Sequence, residues 1–303
     1  MSRRALWLFV AMCVIWGIPY LFIKVAVSGM TPVSLVFLRT AIGAVLLVPV
    51  AVARHQLRPV LPAWRWLLAY TVAELGIPWL LLSTAETRLA SSLSGLLVAA
   101  VPLVGALLAW ATRSEHQLDR RRLAGLGIGL AGVGVLLGFD VTVRDLGAVG
   151  EVGLCAVGYA VGPMIISRKL SHLPSIGVVA ASLTLTAVVY APLGMAELAG
   201  GHPTAKALAS AATLGVVCTA VAFLLFFALI AEIGPVRSTV ITYFNPAVAL
   251  VLGVTILGEP LRLGAVLGFA LILAGSVLAT RQGRASVVLS SRAPQPEEVE
   301  ART

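Results

Sequence analysis

The chain has 303 residues, of which 59% are hydrophobic and 12% charged, with a formal net charge of +9. An ordinary soluble domain is about 45–50% apolar and about 25% charged, so these values and a mean hydropathy of +0.99 exclude a soluble globular chain, a disordered one and a separate soluble catalytic domain. In a soluble protein the basic excess would suggest nucleic acid; here it reads as arginine on cytoplasmic loops, with no nucleic-acid partner.

Met-Ser-Arg-Arg precedes an apolar run over 5–27. That run exceeds a signal-peptide core and lacks a small-x-small cleavage site before a soluble segment, so it reads as the first membrane helix. Further runs follow over 33–53, 66–85, 89–111, 123–139, 147–167, 175–195, 207–231, 237–257 and 263–280. A membrane-crossing helix needs about 20 apolar residues, which makes ten spans. Glycine, proline and charged residues punctuate the joints, as tight loops require. Beyond Arg281 the chain turns polar, and 282–303 is expected to be a disordered cytoplasmic tail. Cys13, Cys155 and Cys218 all fall inside apolar runs, an odd number that argues against a disulfide framework.

With a cytoplasmic N-terminus, sixteen of the 22 basic residues lie at the inner side and four (Arg88, Arg144, Lys206 and Arg262) at the outer side. Positive charge concentrates on cytoplasmic loops, so the expectation is a multi-pass protein of the inner, cytoplasmic membrane with both termini cytoplasmic and the lipid bilayer around it.

The two halves repeat. Pro102 matches Pro246 and Glu115 matches Glu259 at a spacing of 144; Gly125 matches Gly268 and Gly132 matches Gly275 at 143. Cys13-Val14-Ile15-Trp16-Gly17 matches the segment from Cys155 to Tyr159 at 142. Five spans per copy is odd, so the second copy enters the membrane from the opposite side. The predicted fold is an all-α integral membrane protein with ten transmembrane helices as two inverted five-helix repeats, over residues 1–140 and 141–281. Inverted repeats are a recurrent feature of secondary transporters, with the substrate held near the midplane between the copies.

The second half carries Ile233-Gly234-Pro235, Tyr243-Phe244-Asn245-Pro246, Gly258-Glu259-Pro260, Gly268 and Gly275. The first carries Trp16-Gly17, Pro32 with Arg39, Pro102, Glu115, Gly125 and Gly132. Over about residues 5–281 this pattern resembles the EamA-type branch of the drug/metabolite transporter superfamily. The resemblance implies ten helices, inverted repeats and export of metabolites across the cytoplasmic membrane. Two positions depart from the pattern: Arg113-Ser114-Glu115 stands where the family shows Gly-Glu, and Gly158-Tyr159 stands opposite Trp16-Gly17. The resemblance therefore carries no substrate.

Charge at membrane depth costs about 2.5–3.5 kcal/mol on insertion scales and so marks a cavity or a partner. Glu74 is the clearest case, about eight residues into the third run. It reads as a cavity carboxylate that binds a cationic group or takes up a proton, or else as an acceptor paired with a buried base or hydroxyl. Lys24 and Arg39 read as a gate or ion pair, or as side chains that snorkel to the interface. Arg39 also resembles the family's arginine in the second helix. Glu151 opens the sixth run, where a carboxylate suits a helix N-terminus.

Pro19, Pro78, Pro102, Pro163 and Pro246 should interrupt their helices, and the repeat-related Pro102 and Pro246 should free carbonyls toward a polar cavity. Trp16, Tyr20, Trp79, Tyr159, Tyr243 and Asn245 could sandwich and orient a substrate, whereas Trp64 and Trp66 suit the interfacial belt. Gly125-xxx-Gly129 and Gly264-xxx-Gly268 hold the scaffold together or support a homodimer.

There is no P-loop and no zinc-ligand spacing, so no cofactor and no enzyme are expected. The leading expectation is a secondary transporter, an exporter of amino acids, related small metabolites or drugs, with proton coupling open. A non-transporting membrane receptor and a membrane-embedded enzyme are the alternatives.

Overall fold

The computed structural model describes residues 2–112, 119–140 and 143–280. Glu115 and the expected tail over 282–303 lie outside the described residues. Ten helices are long and apolar enough to cross a membrane: α1 Arg3–Val27, α2 Pro32–Ala53, α3 Arg58–Ala85, α4 Ser91–Ala111, α5 Arg120–Gly138, α6 Leu146–Leu170, α7 Ser175–Gly200, α8 Ala205–Ile233, α9 Thr239–Leu257 and α10 Leu263–Thr280. The ends match the apolar runs closely, except that α3 begins with a 3-10 turn over Arg58–Ala63.

The contacts follow the repeat. Helix α2 lies along α7, α5 along α10, and α4 against α9, so equivalent helices pair across the molecule. Helix α1 lies on α8 and α3 on α6, and exchanging the two halves turns one of these contacts into the other. The fold is an all-α membrane bundle of two inverted five-helix repeats.

Glycine sets the α5–α10 contact. A Cβ on Gly132 would meet Ile272 N at 2.7 Å and Gly268 O at 2.8 Å; one on Gly125 would meet Ala279 N at 2.6 Å. These partners are backbone atoms, so only glycine allows the approach. The small-residue faces thus serve the scaffold within the chain.

Proline acts unevenly. Helix α1 breaks between Ile15 and Pro19, α4 between Val98 and Val101, and α9 passes from a 3-10 turn over Thr239–Tyr243 to α-helix at Asn245. Pro78 and Pro163 break nothing: α3 carries a wide π turn over Thr71–Gly76 before Pro78, and α6 has one over Ile166–Leu170 after Pro163. Helix α8 has the counterpart of the α3 turn over Val216–Val221, 145 residues on and without a proline. π turns concentrate at functional sites. Glu74 and Thr219 occupy equivalent places in these two turns.

Candidate functional site

Arg39 of α2 connects the π turn of α8, through Thr219, with Trp79, which follows the π turn of α3. Arg39 is buried. Its Nε donates to Thr219 Oγ1 at 3.1 Å, and its Cζ stands 3.6 Å from the Trp79 ring centroid. A desolvated cation–π contact of this kind contributes about 2 kcal/mol. No carboxylate forms an ion pair with Arg39 among the described residues; Arg4–Glu232 and Arg88–Glu151 do pair. The buried guanidinium therefore keeps unused donors.

Tyr159 of α6 is the hub of the cluster. It packs against both of the larger apolar cores, one containing Tyr20 and the other Trp79. Tyr20, Arg39, Glu74 and Cys155 all lie within its electrostatic reach. Glu74 sits over Gly162 of α6, where any Cβ would run into its carboxyl group. Its Oε2 is buried with no hydrogen-bond partner, so the paired-acceptor reading of Glu74 does not hold for that oxygen. Tyr190 of α7 donates to Gly76 O at 3.1 Å, satisfying a carbonyl beside the π turn.

Trp16 belongs to an aromatic tier next to this cluster. Its ring lies 4.6 Å from Phe226 and 5.9 Å from Phe223, and Phe223 stacks on Phe227 at 6.0 Å. Phe223 and Phe227 pack on the core that holds Trp79. These phenylalanines lie in an unbroken apolar run, where nothing in the sequence distinguishes a cavity face from a lipid face.

Other expected site residues lie apart. Tyr243 ends the first turn of α9, with its hydroxyl 3.2 Å from Thr280 Oγ1. It is an end-of-helix residue rather than a mid-span one. Asn245, with its amide nitrogen as donor, ties Ile241 O at 2.9 Å to Cys13 O at 3.1 Å, and so joins α9 to the break in α1. Pro246 is buried and Pro102 half-buried, each opening the second half of its helix. Their kinks shape the α4–α9 seam.

Lys24 forms no ion pair among the described residues. Its Nζ donates to Glu86 O and Leu89 O, both at 2.7 Å, at the end of α3 opposite the termini. Glu151 pairs with Arg88 at 2.5 Å rather than serving the first turn of α6, which begins at Leu146. Glu259 accepts from Ser91 N at 2.7 Å and Ser92 N at 2.9 Å, so the second-repeat glutamate caps the N-terminus of α4. Gly258 turns the chain for this cap at φ +67°, a left-handed conformation that suits glycine.

Two clefts flank the centre. One of about 300 Å³ lies between the ends of α3, α4 and α6 on the side of the termini, lined by Trp66, Thr112, Arg168 and Lys169. The other, about 250 Å³, lies at the opposite end, lined by Leu89, Ala90, Ser92 and Glu259. No group of three or more metal-binding side chains occurs among the described residues.

The model of the EamA-like transporter family matches residues 3–138 and 152–281. The chain is 27% identical over 289 residues to the "Uncharacterized transporter YvbV" of Bacillus subtilis (strain 168), covering 94% of this chain and 93% of that protein. It is 25% identical over 282 residues to the "Uncharacterized inner membrane transporter YedA" of Escherichia coli (strain K12), covering 89% and 88%. It is 26% identical over 289 residues to a "Probable terminal-alkyne amino-acid exporter" of Streptantibioticus cattleyicolor, covering 92% and 94%. A solved crystal structure shares the fold with a TM-score of 0.65 at 22% identity, covering 97% of this chain and all of that one.

Proposed function

Because the chain belongs to the EamA-like transporter family, we propose that it exports small carboxylate-bearing metabolites, amino acids or related compounds, with Arg39 as the anchor for the carboxylate. It is a secondary transporter of small solutes in the cytoplasmic membrane, not an enzyme.

The observation that carries the substrate class is the state of Arg39: buried, stacked on Trp79, held by one hydrogen bond to Thr219, and unpaired with any carboxylate among the described residues. A guanidinium presents a planar fork of donors that matches a carboxylate. Trp79 and Thr219 fix that fork, so little side-chain entropy is lost on binding. Tyr20, Trp79 and Tyr159 supply apolar walls, while Glu74, across Tyr159, offers an acceptor for a substrate ammonium. The relative described as an amino-acid exporter handles a substrate with the same carboxylate. Helices α2 and α8, through Arg39 and Thr219, join α1, α3 and α6 around the path, and the paired breaks in α4 and α9 provide the flexing seam. The excess of positive charge on the loops at the end where α1 begins supports a cytoplasmic location for that end.

Thermal unfolding of the purified chain tests the substrate class. A ligand at a hundred times its Kd stabilises the fold by about 2.7 kcal/mol. Among amino acids and the amines that lack only the carboxylate, the acids should raise Tm and the amines should not. Equal stabilisation by both sets would reject Arg39 as the anchor.

A further inference from the structure

Glu86 is the most deeply buried acidic side chain of the described residues, at 0% exposure, and neither carboxyl oxygen has a hydrogen-bond partner. It lies one residue beyond α3, where a carboxyl group would ordinarily reach water. Lys24 of α1 comes close enough to bond the main-chain carbonyl of this same residue at 2.7 Å, together with that of Leu89 at 2.7 Å. A charged carboxylate left unpaired in such a place is strongly disfavoured, so the arrangement suits the protonated form. We propose that Glu86 is the proton-binding carboxylate of the transport cycle, forming with Lys24 a protonation-controlled latch at the end of the bundle opposite the termini; this rests on the transporter reading above.

The latch has two arrangements. With Glu86 neutral, the Lys24 ammonium clamps the carbonyl of Glu86, the C-cap of α3, where the helix dipole favours a cation, together with that of Leu89 in the link to α4, and α1 is tied to the end of α3. When Glu86 releases its proton, its carboxylate becomes the stronger acceptor, and Lys24 turns to it from the carbonyl of the same residue. The bond to Leu89 O is lost and the end of α3 is freed. The proton arrives from and leaves to the cleft lined by Leu89, Ala90, Ser92 and Glu259.

The other charged or titratable groups within reach do not replace Lys24. Tyr20 of α1 and Cys155 of α6 lie near Glu86, and neither supplies a positive charge. Arg39 of α2 is engaged with Trp79 and Thr219. Glu259, before α10, is committed to Ser91 N and Ser92 N, and adds repulsion. Burial pushes the Glu86 carboxyl well above the ordinary carboxylate range, with Lys24 pulling the other way. A raised value means that the clamped state is favoured at low pH and is lost as pH climbs through that value. Glu74, which the sequence singles out, has no lysine placed to exchange partners with it.

Thiol accessibility tests the latch without a known substrate. In the full chain with its three native cysteines replaced by alanine, Leu89→Cys reports the latch and Thr87→Cys, at an exposed position, corrects for the intrinsic effect of pH on thiol reactivity. A membrane-impermeant maleimide should label position 89 relative to position 87 about tenfold faster per pH unit below the transition, following the ionised fraction of Glu86. Glu86→Asp should keep a rise, Glu86→Gln should stay flat and low, and Lys24→Met should be high at every pH. A flat ratio in the parent chain, or the parent's rise persisting in Glu86→Gln, would overturn the proposal. If Glu86→Gln does not fold, the parent's rise persisting in Lys24→Met overturns it equally. Absence of solute counterflow in the parent chain would instead reject the transporter reading.

Discussion

Arg39→Gln should weaken the apparent affinity for a carboxylate substrate by roughly tenfold to a hundredfold, since charged hydrogen bonds contribute about 1.5–3 kcal/mol. The amide keeps a polar group at the position but loses the charge, the fork and the stack on Trp79. Arg39→Lys should recover only part of the loss. Lysine restores charge, but its ammonium cannot hold Thr219 through Nε, lie flat on the Trp79 ring and present paired donors together. The readout that separates binding from packing is selectivity. A damaged fold lowers transport of every solute, whereas loss of an anion anchor lowers the preference for acids over the corresponding amines. Unchanged selectivity in Arg39→Gln would remove Arg39 from the binding site.

Gly275→Val should leave little folded protein, and Gly275→Ala should cost about 1–3 kcal/mol, the range for overfilling a packed interior. A Cβ at Gly275 meets Gly125 O at 2.6 Å and Gly129 Cα at 2.5 Å, so relief requires α5 and α10 to separate. The facing helix α5 provides the control. A Cβ on Gly127 or Gly134 meets nothing within 4 Å. Gly127→Ala should therefore be neutral, or stabilising by about 0.5–1 kcal/mol through helix propensity. Thermal unfolding of the two alanine variants checks the contrast, and equal Tm values would mean that α5 and α10 can separate at no cost.

The same glycines show what a sequence can reveal. Their register at 143 fixed an inverted pair of helices, because a helix contact between backbones leaves a trace in residue size. The spans were legible for a similar reason: hydrocarbon selects length and apolarity, and both are local properties. Arg39 stood out because charge within an apolar run has few neutral explanations. Its hydrogen-bond partner Thr219 did not, since a threonine is an ordinary residue in a membrane helix, and Phe223 of the neighbouring aromatic tier is hidden for the same reason. Glu86 falls one position past an apolar run and so looks like a loop residue; its neighbours Lys24, Tyr20 and Cys155 are distant in sequence. Tyr243 misled in the opposite sense. The apolar run begins at 237, but the α-helix begins at Asn245 after a 3-10 turn, so a seemingly mid-span tyrosine stands at an end. The π turns left no local pattern at all, although their spacing of 145 places Glu74 opposite Thr219.

Counterflow in liposomes tests the central claim most directly. Vesicles containing the purified chain and loaded with an unlabelled amino acid mixture are diluted into traces of labelled amino acids at equal pH on both sides, so that exchange alone moves label inward. The account predicts transient accumulation of label above equilibrium for at least one amino acid, absent from protein-free vesicles and strongly reduced by Arg39→Gln. No accumulation of any amino acid by folded parent chain, or accumulation unaffected by Arg39→Gln, would contradict it.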